Sequence, residues 1–330
     1  MKKYFKIGLI LLLVLIVCTV AYIFFDRKKE YTKNLYYMDT YIYIKIYETN
    51  KAKVEKVFKD INQMYKEYHE LTDRYNHYDG ITNLYDIYHN GFDSETLTLD
   101  SRLYEILEYA KDWNKKYYKL NIELGNIIDI WKKYRDNKEG IPTVKELQQN
   151  KNGAKLVLLG DNKIVNNHPN LDLGSIAKGY VTEKVGQYLE SIGIKEYLIN
   201  AGGNVKVGDS YDKEYYKIGI QSPVDNGELL TIVKGENISV VTSGGYERNY
   251  EYNGIIYHHI IDSDTLFPSN YMKGVTVITK DSALGDILST SLFLMSVDDG
   301  QEFIKKYDAE AIWYTNDNKI IRSERFNNYE

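Results

Sequence analysis

The sequence predicts an α+β protein in which helices pack against antiparallel sheets. Two segments between residues 52 and 117 carry apolar side chains at helical spacing. From residue 154 to residue 244 the pattern changes to short, β-branched segments separated by Gly, Asn and Asp turns. No Pro-rich or Ser-rich linker interrupts residues 35–328, so this region is expected to fold as one unit, or as two interleaved subdomains.

Composition narrows the classes of function. The 330 residues are 43% hydrophobic, which is enough to build a sizeable core. The 42 basic and 47 acidic residues give a net charge of −5 without long blocks of one sign, which argues against nucleic-acid binding. A single cysteine, Cys18, excludes an intrachain disulfide and a thiolate metal site.

The N-terminal region contains an uncharged apolar run at residues 7–25. Nineteen helical residues span roughly 28 Å, close to the thickness of a bilayer core, so we expect an uncleaved single-pass membrane anchor. Residues 1–6 would then be cytoplasmic, 26–34 a spacer, and 35–330 the folded domain. Three basic residues on each side leave the orientation open. Lipidation at Cys18 is the alternative, although Val17 stands where a small residue is expected.

Within the folded domain, alternation from Tyr37 to Tyr47 predicts a strand. Apolar spacing predicts helices over residues 52–72 and 100–117, the second capped by Asp100 or Ser101.

Residues 171–194, LDLGSIAKGYVTEKVGQYLESIGI, predict a turn followed by a helix that begins near Ser175. A helix start presents unpaired N–H groups and favours a bound phosphate. Lys178 in the first turn opposes the helix dipole, which makes sense if an anion binds there. Alternatively, Lys178 simply points into water.

The segment KDSALGDILSTSLFLM, residues 280–295, predicts a helix capped by Asp281 or Ser282. Asp286 and Thr290 lie four residues apart, on one side and close to the apolar face. A buried carboxylate there is costly unless it binds a hard cation, and oxygen ligands suit Mg²⁺. The alternative is a solvent-facing aspartate.

The segment YHHIIDSDTLFP, residues 257–268, holds two adjacent histidines. No HExxH motif or spaced Cys/His set accompanies them, so zinc is unsupported, and no GxSxG, Walker or GxGxxG motif occurs. One histidine could act as a general base near neutral pH, or both could be structural. Spacing alone does not choose between them.

Taken together, the order of these segments resembles the ApbE family of Mg²⁺-dependent FAD:protein FMN transferases. The similar blocks are MDT (38–40), LTDRY (71–75), NIELGNIIDIW (121–131), DLGSIAKGY (172–180), INAGGN (199–204), VVTSGGYER (240–248), HHIIDSDTLFP (258–268) and GDILSTSLFLM (285–295). The resemblance implies a T-fold-related domain of antiparallel sheets with packed helices. It also implies a cell-membrane location with the catalytic domain outside the cytoplasm.

The resemblance further implies transfer of FMN from FAD to a threonine of a partner flavoprotein, a membrane electron-transfer subunit, with release of AMP. His259 and Asp286 would be catalytic. The Ser175 carbonyl, Asp286 and Thr290 would hold Mg²⁺. The FAD contacts would be Met38, Tyr75, Lys119, Leu120, Asn121, Asp172, Lys178, His259 and Ile260.

Several residues depart from the family pattern. Asn121 and Glu123 stand where the family has Asp and Thr, and Ser263, Asp264 and Leu266 replace the Pro, basic residue and Gly of DPRTG. Alternatives to the transferase are therefore an FAD pyrophosphatase that yields FMN and AMP, and a non-catalytic FAD-binding protein.

Overall fold

The computed structural model describes residues 27–89, 95–212, 214–224 and 227–330, together with residues 4, 5, 8 and 13. The helices are α1 (Lys51–Thr72), α2 (Leu84–His89), α3 (Ser101–Lys116), α4 (Gly125–Asn137), α5 (Val144–Asn150), α6 (Ala177–Ser191), α7 (Ser282–Phe293) and α8 (Val297–Ile304), followed by a 3-10 helix, Phe326–Tyr329. The strands are β1 (Lys29–Tyr37), β2 (Thr40–Glu48), β3 (Thr96–Thr98), β4 (Leu158–Gly160), β5 (Lys163–Val165), β6 (Tyr197–Ala201), β7 (Asn204–Val207), β8 (Tyr216–Gln221), β9 (Leu229–Gly235), β10 (Ile238–Gly244), β11 (Asn249–Tyr252), β12 (Ile255–His258), β13 (Met272–Thr279), β14 (Ala309–Thr315) and β15 (Ile320–Arg322).

A central eight-stranded sheet has the order β1-β2-β6-β7-β10-β13-β14-β15, and every neighbouring pair in it is antiparallel. Two hairpins, β8-β9 and β11-β12, and a three-stranded sheet, β3-β5-β4, lie outside it. The prediction of a mixed α+β protein with antiparallel sheets is confirmed.

Helices α6 and α7 form the layer next to the central sheet. Every residue of α7 except Leu284 is buried, as expected for a helix enclosed by other elements on all sides. Helix α1 is instead amphipathic and buries Val54, Val57, Ile61 and Tyr65 on one face. The large core cluster combines these faces with the inner face of β2. This layer positions the start of α6 and the middle of α7.

The N-terminal hairpin differs from the sequence prediction. Most of the strand expected over Tyr37–Tyr47 is β2, which begins at Thr40, whereas Tyr37 ends β1, because Met38 and Asp39 both adopt φ of 55° and reverse the chain. Such turns usually contain Gly or Asn, so the sequence carried little signal. Strand β1 also begins at Lys29, inside the expected spacer, and pairs with β2 along its whole length.

Helix starts follow local capping chemistry. The Asp100 side chain accepts a hydrogen bond from Arg102 N–H at the start of α3, and Asp281 accepts one from Leu284 N–H at the start of α7. Helices α4 and α5 were not predicted. Helix α4 begins at Gly125 without a side-chain cap, so its start lacks the usual signature.

The expected membrane anchor and cell-membrane location must be corrected. No helix within the described residues is long and apolar enough to cross a membrane. The 22-residue helix α1 has the required length, but charged residues cover its outer face. Apart from residues 8 and 13, the predicted segment at residues 7–25 lies outside the described residues, as does Cys18.

Candidate functional site

Two adjoining cavities open where the β1-β2 turn, the start of α6, the middle of α7 and residues 257–268 meet. Each holds about 350 Å³, within the roughly 300–1,000 Å³ typical of small-molecule sites. We call them the first cavity, which contains His259 and Asp286, and the second cavity, which contains His69 and Asp73. The walls they share are formed by Asp39, Tyr75, Asp172, Gly174, Lys178 and Arg248. The pair could therefore accept a two-lobed ligand.

The structure brings the predicted site residues together, although they come from distant parts of the chain. Met38 lines the second cavity. The other eleven line the first: Tyr75, Lys119, Leu120, Asn121, Asp172, Ser175, Lys178, His259, Ile260, Asp286 and Thr290.

The start of α6 faces both cavities. The Asp172 carboxylate accepts a hydrogen bond from Gly174 N–H at 2.9 Å and fixes the turn before the helix. No side chain caps the first residues of α6, which begins at Ala177, close to the predicted start near Ser175. Lys178 Nζ donates to the Gly174 carbonyl at 3.2 Å, which keeps the ammonium group at this helix end. The helix dipole and Lys178 together make the end attractive to phosphate.

Asp286 connects α7 to α6. Its carboxylate oxygen Oδ2 accepts a hydrogen bond from Gly179 N–H at 2.8 Å. The side chain is only 4% exposed, and this burial raises the pKa of Asp286 against the opposing effects of Lys178 and of the Gly179 N–H. The carboxylate is thus held in a place where its negative charge is poorly compensated. A nearby cation would relieve that cost.

Oxygen-bearing residues line the same cavity as this carboxylate. Thr290 follows one turn later on α7, and its hydroxyl lies 3.1 Å from the Ser243 hydroxyl at the end of β10. Ser175 also lines the wall. Across the part of the chain that the structure describes, no group of three or more His, Cys, Asp or Glu side chains is arranged to hold a metal ion. One carboxylate with hydroxyl and carbonyl oxygens fits Mg²⁺, which keeps several waters and uses few protein ligands.

The two adjacent histidines have different environments. His258 Nε2 donates to the Ser269 carbonyl at 2.8 Å, and its Nδ1 accepts from Ile260 N–H at 3.2 Å. Both ring nitrogens are therefore engaged within the protein. Burial lowers the pKa of His258 to about 4, so the ring is neutral at neutral pH. His258 thus ties the segment to Ser269 and packs its ring against Phe293 of α7.

His259 faces the first cavity. The Arg248 carbonyl accepts a hydrogen bond from its backbone N–H at 3.1 Å and lies 3.2 Å from its Nδ1. A carbonyl can only accept, so Nδ1 carries the ring proton and Nε2 keeps its lone pair. Burial, followed by the positive charges of Arg248 and other neighbours including Lys178, lowers the pKa of His259 to about 3. The ring is neutral, and its Nε2 can accept a proton.

Residues 262–268 are tied to the segment around Lys119. Lys119 Nζ donates to Asp262 at 2.7 Å and lies 3.2 Å from Asp264, and the Tyr118 hydroxyl donates to Asp264 at 2.8 Å. Although burial disfavours the ammonium, these carboxylates raise the pKa of Lys119. Asp264 therefore replaces a basic residue of the family pattern with a partner for Lys119.

Leu266, which stands where the family pattern has glycine, adopts a left-handed backbone conformation that favours glycine. Its φ is 61°, which is strained for a branched side chain, yet the side chain is fully buried. Trp131 Nε1 donates to its carbonyl at 2.8 Å, and the side chain belongs to a small core cluster with Trp131 and Tyr250. Packing thus offsets the strain and fixes the loop.

The departure at residue 123 is structural, whereas Asn121 lines the first cavity. Asn121 Oδ1 accepts a hydrogen bond from Glu123 N–H at 2.9 Å. Burial opposes ionisation of Glu123, but the Lys111 ammonium at 2.9 Å and the Leu156 N–H hold its pKa below the ordinary value. Glu123 is not among the cavity-lining residues.

An aromatic surface lies on the shared wall. Tyr75 is 46% exposed and lies beneath the Arg74 guanidinium, which is 5.0 Å from the ring centroid. Arg74 is buried and held by Asp129 at 2.9 Å and by Asn170 at 2.7 Å. Lys132 Nζ also lies 5.7 Å from the ring centroid, and the exposed part of the ring offers a stacking surface for a planar ligand.

Sequence reasoning missed some wall residues. Asp39, Ser243 and Arg248 lie beside the predicted ones. Ser243 and Arg248 belong to the block TSGGYER, which was recognised without assigning roles to its side chains. Asp39 stands where the family's MGT motif has glycine. This replacement of glycine by aspartate could have drawn attention to the residue.

The fold and the cavities define an α+β protein with a ligand site suited to phosphate groups. Oxygen-bearing side chains and His259 line this site. A sequence model of the ApbE family matches residues 38–313. A protein from Klebsiella pneumoniae strain 342 named FAD:protein FMN transferase is 29% identical over 313 residues, which cover 89% of this chain and 92% of that protein.

Solved structures show the same fold. The ApbE protein of Thermotoga maritima superimposes with a TM-score of 0.81 at 22% identity, covering 92% of this chain and 99% of that one. The flavin transferase ApbE of Vibrio cholerae gives 0.77 at 22% identity, covering 92% and 100%. The chain belongs to the ApbE family.

Proposed function

We propose that this chain transfers FMN from FAD to a protein acceptor, with a threonine hydroxyl as the attacking group and AMP as the leaving group. The curated relatives are named for this transferase activity. The observation that carries the proposal is the pair of adjoining cavities, with a helix start and a lysine at their junction. A dinucleotide needs two such lobes and a site for the pyrophosphate between them.

Binding of FAD would use the shared wall. The Tyr75 ring offers a stacking surface for a flat ring system, and the α6 start with Lys178 offers N–H groups and a cation for the pyrophosphate. Met38, Asp172, Ile260 and residues 119–121 complete the proposed contacts. Because the 262–268 loop is held by Lys119 and Leu266, this part of the site is preorganised.

Asp286, Thr290 and the Ser175 carbonyl are the proposed Mg²⁺ ligands. The buried, poorly compensated carboxylate of Asp286 supports this assignment. When bound, Mg²⁺ would neutralise pyrophosphate charge and stabilise the charge that develops on the departing phosphate.

His259 is the proposed base. Its Nε2 would accept the proton of the threonine hydroxyl as that oxygen attacks the FMN phosphorus and the bond from this phosphorus to the AMP phosphate breaks. In the free protein a pKa of about 3 makes His259 a weak base. A bound pyrophosphate would partly cancel the charges of Arg248 and Lys178, so the pKa of His259 should rise in the complex.

Purified protein with FAD, Mg²⁺ and a candidate acceptor flavoprotein tests the proposal. We expect an acceptor band that fluoresces as flavin in a denaturing gel, and AMP in equal amount. Rapid AMP release without acceptor would identify a pyrophosphatase instead, and FAD that co-purifies and persists after Mg²⁺ addition would identify a binding protein. His259→Ala should bind FAD but transfer no FMN, whereas loss of FAD binding would place His259 in cofactor binding alone.

A further inference from the structure

Arg248 and Asp39 face each other between the two cavities. Both side chains line both cavities, and Arg248 Nη2 lies 3.9 Å from Asp39 Oδ2. Asp39 belongs to the β1-β2 turn, whereas Arg248 precedes β11. The pair therefore links two elements across the place where the cavities join.

Arg248 is loosely held compared with another cation of the first cavity. Lys119 has two carboxylate partners, at 2.7 and 3.2 Å. The Arg248 side chain is half exposed, and its Asp39 partner is 74% exposed at the longer distance of 3.9 Å. An ion pair this exposed contributes little, so an anionic ligand could replace Asp39 as the partner.

Asp39 occurs at a position that favours glycine. Its φ of 55° is uncommon for a residue with a side chain, although Asp tolerates it better than most. The aspartate adds a carboxylate at the entrance to a site that is otherwise suited to phosphate. Because the Asp39 carboxylate lies near the Arg248 guanidinium, its charge can control a cation that lines the same cavity as His259.

We propose that Asp39 and Arg248 form an electrostatic latch, in which Arg248 leaves Asp39 to bind a phosphate of the incoming ligand. The proposal rests on the proposed function for the identity of that ligand, FAD. Arg248 is thus a phosphate-binding residue of the site, and Asp39 is a competitor that weakens ligand binding and keeps Arg248 in place while the cavities are empty.

Binding measurements on a double-mutant cycle test the latch. The probes are FAD, ADP, and riboflavin, which lacks phosphate. Asp39→Asn keeps the side-chain shape and tolerates the turn, and it should tighten FAD and ADP binding about two- to fivefold, as expected for an exposed ion pair. Arg248→Gln should weaken both by about tenfold or more, as expected for a charge-assisted contact. Riboflavin binding should change in neither variant.

The decisive comparison is Asp39→Asn in the Arg248→Gln background. A latch predicts that the tightening disappears there, because the competitor no longer has a cation to hold. If Asp39 merely repels anions, the same tightening will persist, and the latch is then refuted. Unchanged FAD and ADP binding in Arg248→Gln also overturns the proposal.

Asp308→Asn is the matched control. Asp308 forms a similarly exposed pair with Lys280 at 3.7 Å, and neither residue lines the two cavities, so its removal should alter no binding constant. These measurements distinguish a failure of the latch proposal from a failure of the proposed transferase function. A protein that binds FAD with the predicted coupling but transfers no FMN refutes the proposed function alone, and active transfer without coupling refutes the latch alone.

Discussion

Replacing Gly179 with alanine should damage both stability and the metal site. A Cβ atom on Gly179 would lie 2.5 Å from Asp286 Cβ, 2.5 Å from the Ser282 carbonyl oxygen and 2.9 Å from Asn204 Nδ2. Two of these atoms belong to the backbone or to the start of a side chain, so they cannot move aside. Helices α6 and α7 must separate, and the Gly179 N–H would be drawn away from the Asp286 carboxylate.

Helix propensity alone predicts that Gly179→Ala stabilises the protein. Alanine in place of a helical glycine stabilises by up to about 1 kcal/mol, and Gly179 lies in the first turn of α6. Overpacking costs about 1–3 kcal/mol, and a lost hydrogen bond to a charged group costs about 1.5–3 kcal/mol. We therefore expect Gly179→Ala to lower the free energy of unfolding by about 2–5 kcal/mol and to raise the Mg²⁺ concentration needed for half-maximal activity.

Urea unfolding followed by circular dichroism measures the stability change, and Mg²⁺ titration of flavin transfer measures the effect on the site. Gly300→Ala is the control, because its Cβ would meet side-chain atoms only, at 3.2 Å and beyond. That variant should stay within about 1 kcal/mol of the parent. If Gly179→Ala is as stable as the parent and needs no more Mg²⁺, the close contact between α6 and α7 does not organise the site.

Three further predictions concern the same region. Leu266→Ala keeps the strained φ but empties the small core, so urea unfolding should show a loss of about 2–5 kcal/mol. Burial lowers the pKa of His258 to about 4 in the folded protein, whereas the unfolded chain has the ordinary value near 6.5. As the pH falls from 6.5 toward 4, the unfolded state therefore binds the proton first, and the free energy of unfolding decreases by at most about 1.4 kcal/mol per pH unit. Stability curves from pH 7 to pH 5 should therefore be flatter for His258→Gln, and an unchanged slope would contradict this. Asp286→Asn should abolish Mg²⁺-dependent turnover while thermal unfolding stays cooperative, and surviving turnover would contradict the metal assignment.

The sequence predicted those elements whose burial pattern is regular. Helices α1, α3, α6 and α7 were predicted because a continuous apolar face must meet the sheet. The β1-β2 turn was not, because Met38 and Asp39 adopt positive φ without the usual glycine, and their conformation depends on pairing along the whole hairpin. Helix α4 lacks a capping side chain, so its start also escaped prediction.

At the site, residue types and order were enough to predict candidates, but not their environments. Spacing could not distinguish His258 from His259, because the difference arises from the carbonyl groups of Ser269 and Arg248. The role of Leu266 as a buried residue with positive φ likewise depends on Trp131, which is distant in the sequence. Tertiary contacts supply this information.

The most direct test of the account is mass spectrometry of an acceptor flavoprotein co-expressed with this chain. We predict an acceptor whose mass increases by one FMN attached through a phosphoester bond to a single threonine, and no increase when Asp286→Asn replaces the parent chain. An acceptor that remains unmodified beside the parent chain, under conditions where a known family transferase modifies it, would contradict the account.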